Sequence, residues 1–339
     1  DLYILTAPII YVPVTKQPSD VDYINYLIAA RCDISCVKAA DCYSTSEYSI
    51  SHDSFNRFLS RQSLTPEALW GEVEAYVERK SGWLVLDDTI LDKIHSKKIE
   101  ATYFQWSGKH HKVVKGIGLI TLIWTDGIVS FPIDYRIYDK NVDDKTKNDH
   151  LQDMVNTAYK RGFNPAFIMF DSWYSGIENL KFINRLGWLF FTRVKKNRAV
   201  NPDGQGNVQV ADLQIPEEGL EVHLKKYGFI RLFHSLNRKG ASRYWISNYI
   251  PMTNEDRLNL QSICWTIENY HRAIKELCGV EKCQARKAII QRNHINCSLR
   301  AYLRLEINHF LNGVTPYNAQ WQITKVGISE YLKSPKYAL

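Results

Sequence analysis

Three acidic residues carry the chemistry that this sequence is able to perform. Asp87 follows the apolar run 83–86, Asp171 follows the apolar run 166–170, and Glu268 lies inside a helical pattern. A carboxylate at the end of a buried strand is costly unless something neutralises it. Carboxylates that are brought together repel each other, and a hard divalent cation relieves that repulsion. The pattern therefore predicts a site for two Mg²⁺ ions, built for phosphoryl chemistry on DNA or RNA.

Asp88 competes with Asp87 for the role of metal ligand. Alternation along a strand directs the two side chains to opposite faces, so only one of them serves, and we favour Asp87. A helix cap or a surface ion pair would explain any one of these carboxylates alone. Asp87 and Asp171 close strands that we expect to be neighbours, and open α/β sheets keep their active sites at the carboxyl ends of strands. Glu268 reaches the same point if its helix packs across the sheet.

The elements around these residues predict an α/β fold with a mixed sheet flanked by helices. The strand patterns are 83–86, 113–125, 128–137, 166–170 and 188–194, with a hairpin turn at 125–127. Helices are predicted at 149–160 and 176–186. A β-rich block, 195–250, then separates Asp171 from Glu268, which are 268 − 171 = 97 positions apart. Two further helices are predicted at 254–277 and 291–311, and the tail after Pro316 has few strong signals.

The first 80 residues are predicted to be mostly helical. Helical periodicity runs over 20–40, and Ser51 is a predicted N-cap for a further helix. That helix would expose His52, Asn56 and Arg57 and bury Phe55, Phe58 and Leu59. Two short helices joined by a polar turn match a helix-turn-helix whose second helix enters the major groove of DNA. A plain helical bundle explains the same pattern.

Positive charge is clustered along the chain, whose formal net charge is +7. Such clusters fit a polyanionic partner, although any one of them also fits an ordinary solvated face. On the Glu268 helix, Arg272 and Lys275 follow at +4 and +7, where they would either bind phosphates or form surface ion pairs. Trp265 would either stack on a base or pack in the core. The predicted DNA-binding residues are His52, Asn56, Arg57, Lys112, Lys115, Arg193, Lys195, Lys196, Trp265, Arg272, Lys275 and Arg286.

The composition is that of a globular protein, with 45% hydrophobic and 23% charged residues. No apolar stretch is long enough to span a bilayer, and no signal peptide is recognisable, so no membrane partner is expected. Seven cysteines form an odd set without the density of a disulfide scaffold, which predicts a reducing compartment. Cys32, Cys36 and Cys42 would be either zinc ligands or small buried residues, and the spacing favours burial.

Three segments resemble the motifs of one known family. Asp87-Asp88-Thr89 resembles the D-x-T signature at the first acidic residue of the DDE transposases of bacterial insertion sequences. Asp171-Ser172-Trp173-Tyr174 resembles their D-x-x-Y motif. Trp265-Thr266-Ile267-Glu268, with Arg272 and Lys275, resembles their W-x-I-E segment and its downstream basic residues. The resemblance spans about residues 81 to 310.

The resemblance implies a ribonuclease-H-like core interrupted by a β-strand insertion, with Asp87, Asp171 and Glu268 as catalytic triad. It also implies Mg²⁺ or Mn²⁺, and a cytoplasmic, nucleoid-associated prokaryotic homodimer that acts on transposon terminal inverted repeats and target DNA. Cleavage of the transposon ends would free a 3′-OH, which then attacks the target. The corresponding regions are DNA-binding helices (1–80), first core part (81–198), insertion (199–250), second core part (251–312) and tail (313–339).

One motif departs from the family pattern. Relatives usually carry Y-x-x-R ahead of W-x-I-E, and here those positions hold Gln261 and Cys264. Arg257, or residues of the insertion, are possible substitutes. Two alternatives stay open beside the transposase: a metal-dependent nuclease or domesticated derivative without strand transfer, and a DNA-binding regulator with a degenerate core.

Overall fold

The computed structural model describes residues 14–15, 17–30, 34–44, 48–108, 110–139, 142–237 and 239–335. In the N-terminal part it has short strands β1 (Val14–Thr15) and β2 (Tyr48–Ser49), which pair in parallel. Four helices belong to the same region: α1 (Asp20–Ala29), α2 (Cys36–Tyr43), α3 (His52–Arg61) and α4 (Pro66–Val73). The single helical stretch predicted over 20–40 is thus two helices, since Ser35 caps a new helix by accepting a hydrogen bond from the Lys38 amide.

The predicted cap and faces of α3 are confirmed. The Ser51 hydroxyl accepts a hydrogen bond from the Ser54 amide at 3.2 Å. The buried residues are Phe55, Phe58 and Leu59, and the exposed ones are His52, Asn56 and Arg57. This amphipathic pattern is what a short helix needs in order to dock on a core while presenting a polar face to solvent.

The central sheet has six core strands and two helices along its first part. The strands are β3 (Trp83–Asp92), β4 (Tyr103–Ser107), β5 (Lys112–Thr125), β6 (Ser130–Tyr138), β7 (Phe167–Phe170) and β8 (Phe190–Val194). The helices are α5 (Lys147–Lys160) and α6 (Ile177–Arg185). Five of these strands lie in the order β6–β5–β3–β7–β8, and β4 also pairs with β5. β7 and β8 are parallel to β3, whereas β4, β3 and β6 are each antiparallel to β5. The predicted mixed, ribonuclease-H-like sheet is confirmed.

Five more strands continue the same sheet rather than folding apart from it. They are β9 (Ala199–Asn201), β10 (Val208–Gln209), β11 (Leu220–Leu224), β12 (Gly228–Leu236) and β13 (Ser242–Ser247). β13 pairs with β8, and the order runs on through β12, β11 and β9 to β10. The predicted β-rich block therefore widens the sheet on the side of β8, next to the strand that follows Asp171.

Four helices complete the chain: α7 (Asn254–Cys264), α8 (Thr266–Glu276), α9 (Ala288–Asn312) and α10 (Pro316–Lys333). The single helix predicted over 254–277 is wrong, because it breaks at Trp265, whose amide bonds to the Ser262 carbonyl at 3.1 Å. The tail is helical from Pro316 to Lys333, which was not predicted from the sequence. None of the described helices is both long and apolar enough to cross a membrane.

α9 joins the N-terminal helices to the sheet through buried polar side chains. The Asn293 amide donates to the Leu59 and Gln62 carbonyls at 2.7 and 2.8 Å. The Asn296 amide donates to the Thr65 carbonyl at 3.0 Å and to the Tyr135 hydroxyl on β6 at 2.9 Å. Because buried polar groups need partners, these bonds fix one placement of α3 and α4 on α9.

His294 of α9 is held neutral in the core. Its Nε2–H donates to the Gly279 carbonyl at 3.0 Å, so Nδ1 accepts from the Tyr23 hydroxyl at 2.9 Å. Burial lowers the pKa of His294 to about 4, and burial together with Lys275 lowers the pKa of His271 to about 3. Protonation of either imidazole would create a charge in these buried surroundings, which is unfavourable.

Acid is expected to destabilise the fold through these two histidines. An unfolded histidine takes up a proton as the pH falls below 6.5, whereas the folded ones stay neutral down to about 3 and 4. Between pH 7 and pH 5 each should therefore cost about 2 kcal/mol of unfolding free energy. Urea unfolding at both pH values measures this loss, and His294→Gln should remove about half of the histidine contribution. An equal pH dependence in wild type and variant would contradict the assignment.

Candidate active site

Asp87 and Asp171 lie side by side on neighbouring parallel strands. The last aligned pair of β3 and β7 is Leu86 with Phe170. Asp87 directly follows Leu86, and Asp171 directly follows Phe170. Asp171 follows the end of β7, as predicted. Asp87 does not end its strand, because β3 continues to Asp92 through its pairing with β5, where Asp87 lies opposite Thr121. The apolar run 83–86 ends at the point where β3 no longer pairs with β7.

The electrostatics of Asp87 show that negative charge converges on it. Asp87 is half-buried, and its pKa is raised well above the ordinary range, first by burial and then by repulsion from Asp88, Asp171 and Glu268. Charge repulsion of this kind requires proximity. Asp171 and Glu268 are thus within electrostatic reach of Asp87, although the three carboxylates come from the loop after β7, from α8 and from β3.

The Asp88 carboxylate has two protein partners of its own. Its Oδ2 accepts from the Lys147 ammonium at 2.6 Å, and its Oδ1 accepts from the Tyr174 hydroxyl at 2.7 Å. Tyr174 is buried, and Lys147 comes from the first turn of α5. Sequence reasoning missed Lys147, and the D-x-x-Y spacing was the available signal for Tyr174. Lys147 and Tyr174 are more deeply buried than Arg193, the partner of Asp171, so Asp88 is held more firmly in its own contacts.

Asp171 is held by Arg193 of β8. One Arg193 nitrogen donates to Asp171 Oδ1 at 2.6 Å, and the Ser172 amide donates to the same oxygen. The Arg193 guanidinium also lies 5.9 Å from the centre of the Trp245 ring. Arg193 was predicted to contact DNA, and in the DNA-free protein it balances the charge of Asp171.

Glu268 lies exposed in the first turn of α8. The helix buries Ile267, Tyr270 and Ile274 and packs against β3. The Lys275 ammonium donates to the Ile90 carbonyl of β3 at 2.7 Å and pairs with Glu281 at 2.9 Å. This tie brings α8 across β3, as the position of Glu268 requires, and it gives Lys275 protein partners in place of the predicted phosphate.

The donor chemistry suits a hard divalent cation. Carboxylate oxygens are the ligands that Mg²⁺ prefers, and the repulsion at Asp87 is what such an ion would relieve. Among the described residues, no three histidine, cysteine, aspartate or glutamate side chains are placed to hold one ion together. Arg193 occupies an oxygen of Asp171, and Glu268 is exposed, so the three carboxylates have to rearrange before they can share an ion.

Cys264 lies at the position where the family pattern has an arginine, and a cation from another element lies near it. Its sulfur is 3.4 Å from the Met169 sulfur on β7. Burial raises the pKa of Cys264 to about 12, an effect that Arg193 opposes and that Asp87 and Asp171 reinforce. Arg193 is therefore the cation beside Cys264. Arg257 instead binds Asn254 and Gln261 through bonds of 2.7 and 2.9 Å within α7.

The remaining residues predicted to bind DNA fall on several surfaces. Lys112, Lys196, Arg272 and Arg286 are exposed, and Trp265 is 57% exposed at the break before α8. The Lys115 ammonium donates to the Ser96 carbonyl at 3.0 Å. The Lys195 ammonium lies 5.7 Å from the centre of the Trp173 ring. Trp173 is two residues after Asp171 in the sequence. The polar face of α3, with His52, Asn56 and Arg57, belongs to the N-terminal helices.

The zinc alternative finds no support in the described part of the chain. Cys36 is partly buried, Cys42 is exposed, and Cys32 lies outside the described residues. Burial raises the pKa of Cys36 to about 11, which disfavours the thiolate that zinc requires.

Comparison with known proteins agrees with this geometry. The family model described as DDE superfamily endonuclease matches residues 35–219, more than half of the chain. No curated protein gives a significant match. A cryo-EM structure of the piggyBac transposase synaptic complex with hairpin DNA superposes with a TM-score of 0.52 at 11% identity, over 94% of this chain and 73% of that one. The Drosophila P element transposase strand transfer complex has a TM-score of only 0.29 at 12% identity, over 56% and 46% of the two chains.

The piggyBac superposition shows a shared fold, and the family match covers β3, β5, β7 and β8, with two of the three carboxylates. The family match confirms the resemblance to DDE enzymes at the level of the superfamily. The chain belongs to the DDE superfamily endonuclease family.

Proposed function

We propose that this protein is a DNA transposase that cleaves transposon ends and joins the freed 3′-OH to target DNA at Asp87, Asp171 and Glu268. The observation that carries the proposal is the adjacent register of Asp87 and Asp171, with the charge of Glu268 acting on Asp87. Both the family match and the shared fold support a DNA-cleaving enzyme.

Asp87, Asp171 and Glu268 would hold two divalent cations, Mg²⁺ or Mn²⁺. Ions bound there would lower the pKa of an attacking water or 3′-hydroxyl and stabilise charge on the leaving oxygen. The chain's own groups do the positioning. β3 and β7 fix two carboxylates, Lys275 ties α8 to β3, and Lys147 with Tyr174 keeps Asp88 out of the cluster.

DNA would reach the site along surfaces that the basic residues mark. The polar face of α3 is proposed to contact the terminal repeats, and Lys195, Lys196 and Arg272 to contact strands near the carboxylates. We also propose that the protein acts as a homodimer on paired ends. The proposed regions are DNA-binding helices (1–80), first core part (81–198), insertion (199–250), second core part (251–312) and tail (313–339).

The proposal is tested with DNA that carries the flanks of the protein's own gene. Incubation with Mg²⁺ should give strand breaks with 3′-OH ends at the element boundary, and pre-cleaved ends should become joined to a target plasmid. Breaks without joining would establish a nuclease instead. The absence of any Mg²⁺- or Mn²⁺-dependent break, with DNA binding intact, would favour a regulator and overturn the enzyme.

Arg193 is expected to leave Asp171 when a cation neutralises that carboxylate, and then to contact the phosphate of the strand being cut. Arg193→Ala should lower cleavage about 100-fold, since one lost cation or donor at a developing charge costs this much. The double variant Arg193→Ala/Cys264→Arg should recover part of the loss, because the two positions adjoin the same carboxylates. Single-turnover cleavage measures both, and unchanged cleavage by Arg193→Ala would remove the residue from the site.

A further inference from the structure

A basic pocket with an exposed tryptophan adjoins Asp171, and no role has been assigned to it as a unit. Its volume is about 470 Å³. Trp173 and Ile177 form its apolar side, and Lys195, Arg198, Lys225 and Lys226 supply its positive charge. No acidic residue lines it. We call this pocket the Trp173 slot.

Trp173 is held in an exposed position by a rigid loop. The indole is 61% exposed, although Tyr174 and Ser175 beside it are buried. Ser175 Oγ donates to the Ser172 carbonyl at 2.8 Å, and the Arg198 guanidinium donates to the Ser175 carbonyl at 2.8 Å. With Tyr174 bonded to Asp88, the backbone under the indole is fixed. A large aromatic ring kept in solvent on a fixed loop is a feature of binding surfaces.

The lysines of the slot carry charge that the protein does not balance. In the described part of the chain, Lys195, Lys225 and Lys226 form no ion pair with a carboxylate. Lys225 and Lys226 lie at the turn between β11 and β12, where Lys226 adopts a left-handed φ of 68°. Lys195 is two residues beyond Arg193, the partner of Asp171. Ser172, the residue after Asp171, lines the slot together with these lysines, so their charge adjoins the segment that carries Asp171.

The combination selects one class of ligand. Phosphates bind the lysines in either single-stranded or duplex DNA. An indole face, however, stacks only on a base that is not already stacked and paired, since a duplex presents base edges and backbone to a protein. We propose that the Trp173 slot binds one unpaired nucleotide of a DNA strand, with its base on Trp173 and its phosphates on the lysines. This inference rests on the proposed function for its substrate, DNA, but not on cleavage.

The test measures binding of the full chain in EDTA, where no metal-dependent cleavage occurs. Fluorescence anisotropy compares oligothymidylate with an abasic oligonucleotide that has the same number of phosphates. Wild type should prefer the oligothymidylate, and Trp173→Ala should weaken binding to it about 10-fold while changing abasic binding little. Trp173→Phe should keep the preference. Trp106→Ala is the matched control, since Trp106 is 65% exposed on β4, far along the sheet order from β8.

Three results would overturn the slot. Trp173→Ala could bind oligothymidylate as wild type does, it could lose affinity equally for both oligonucleotides, or it could lose more affinity for a fully paired duplex than for oligothymidylate. Lys195→Ala should weaken both oligonucleotides and lower the salt slope by about 0.7. The same binding measurements in the Asp87→Asn background separate the two proposals. If binding of oligothymidylate still depends on Trp173 in that background, the slot is upheld even if the protein cleaves no DNA. If binding does not depend on Trp173, the slot is rejected even if the wild-type protein cleaves DNA.

Discussion

Asp87→Asn is expected to lower DNA strand cleavage by about 1,000-fold or more, because losing a metal-binding carboxylate removes several kcal/mol of transition-state stabilisation. Asp171→Asn and Glu268→Gln should have comparable effects. Binding to DNA should stay nearly unchanged or become slightly tighter, since each change removes a negative charge from a surface that meets phosphates. Single-turnover cleavage and anisotropy on the same labelled DNA measure the two effects separately.

The chain offers matched controls for two of the acids, Asp87 and Glu268. Asp88→Asn loses the pair with Lys147 and should lower stability, yet it should keep cleavage within about 10-fold of wild type, since only removal of a reacting or ligating group costs more. Glu276→Gln, on the same helix as Glu268, should cleave as wild type. If Asp88→Asn were as inactive as Asp87→Asn while folded, the choice of Asp87 as ligand would be wrong.

Glu72→Gln is expected to destabilise the fold by about 3 kcal/mol, because it leaves a buried cation without its main partner. Arg300 is 7% exposed, and its guanidinium bonds to Glu72 and, at 2.7 Å, to Asp20. Arg304 also pairs with Glu72 at 3.0 Å. The cluster joins α1 and α4 to α9, so the loss should appear in the cooperative unfolding of the whole chain. Urea denaturation at pH 7 gives the change in free energy.

Glu74→Gln is the control for this change. Glu74 is two residues away, is about half exposed, and pairs with Arg79 at 3.5 Å. A surface pair of this kind contributes about 0.5 kcal/mol, so the variant should unfold almost like wild type. Equal losses for the two variants would show that the Arg300 cluster does not hold α1 and α4 on α9.

The parts of the fold that depend on neighbours in sequence were predictable. Apolar runs predicted β3, β5 and β7, and the carboxylates that follow two of these runs, Asp87 and Asp171, are adjacent in the sheet. Ser51 and the faces of α3 followed from the cap and the spacing of aromatic residues. Asp87 and Asp171 were singled out because each follows an apolar run, where a carboxylate has an energetic cost. Their assignment with Glu268 to one catalytic triad came from the resemblance of three motifs to a known family.

The rest depends on contacts between distant segments. The bond from Asn293 to Leu59 spans 234 positions, and nothing local to α3 or α9 indicates that they pack together. α10 was missed because its helix depends on Gln320, which donates to the Leu277 carbonyl at 2.9 Å and to Ile28 at 3.2 Å. Arg193 was predicted as a DNA contact, and its place beside Cys264 and Asp171 became visible only once β8 was aligned with β7.

The central claim is that side chains from β3, the loop after β7, and α8 share divalent cations when DNA is bound. The most direct measurement is a structure of the full chain with uncleaved DNA and Mn²⁺, located by anomalous scattering. The account predicts Mn²⁺ peaks bound to the carboxylates of Asp87, Asp171 and Glu268 and to the scissile phosphate, with Arg193 released from Asp171. Mn²⁺ bound elsewhere, or DNA in place with these three carboxylates too far apart to share an ion, would contradict it.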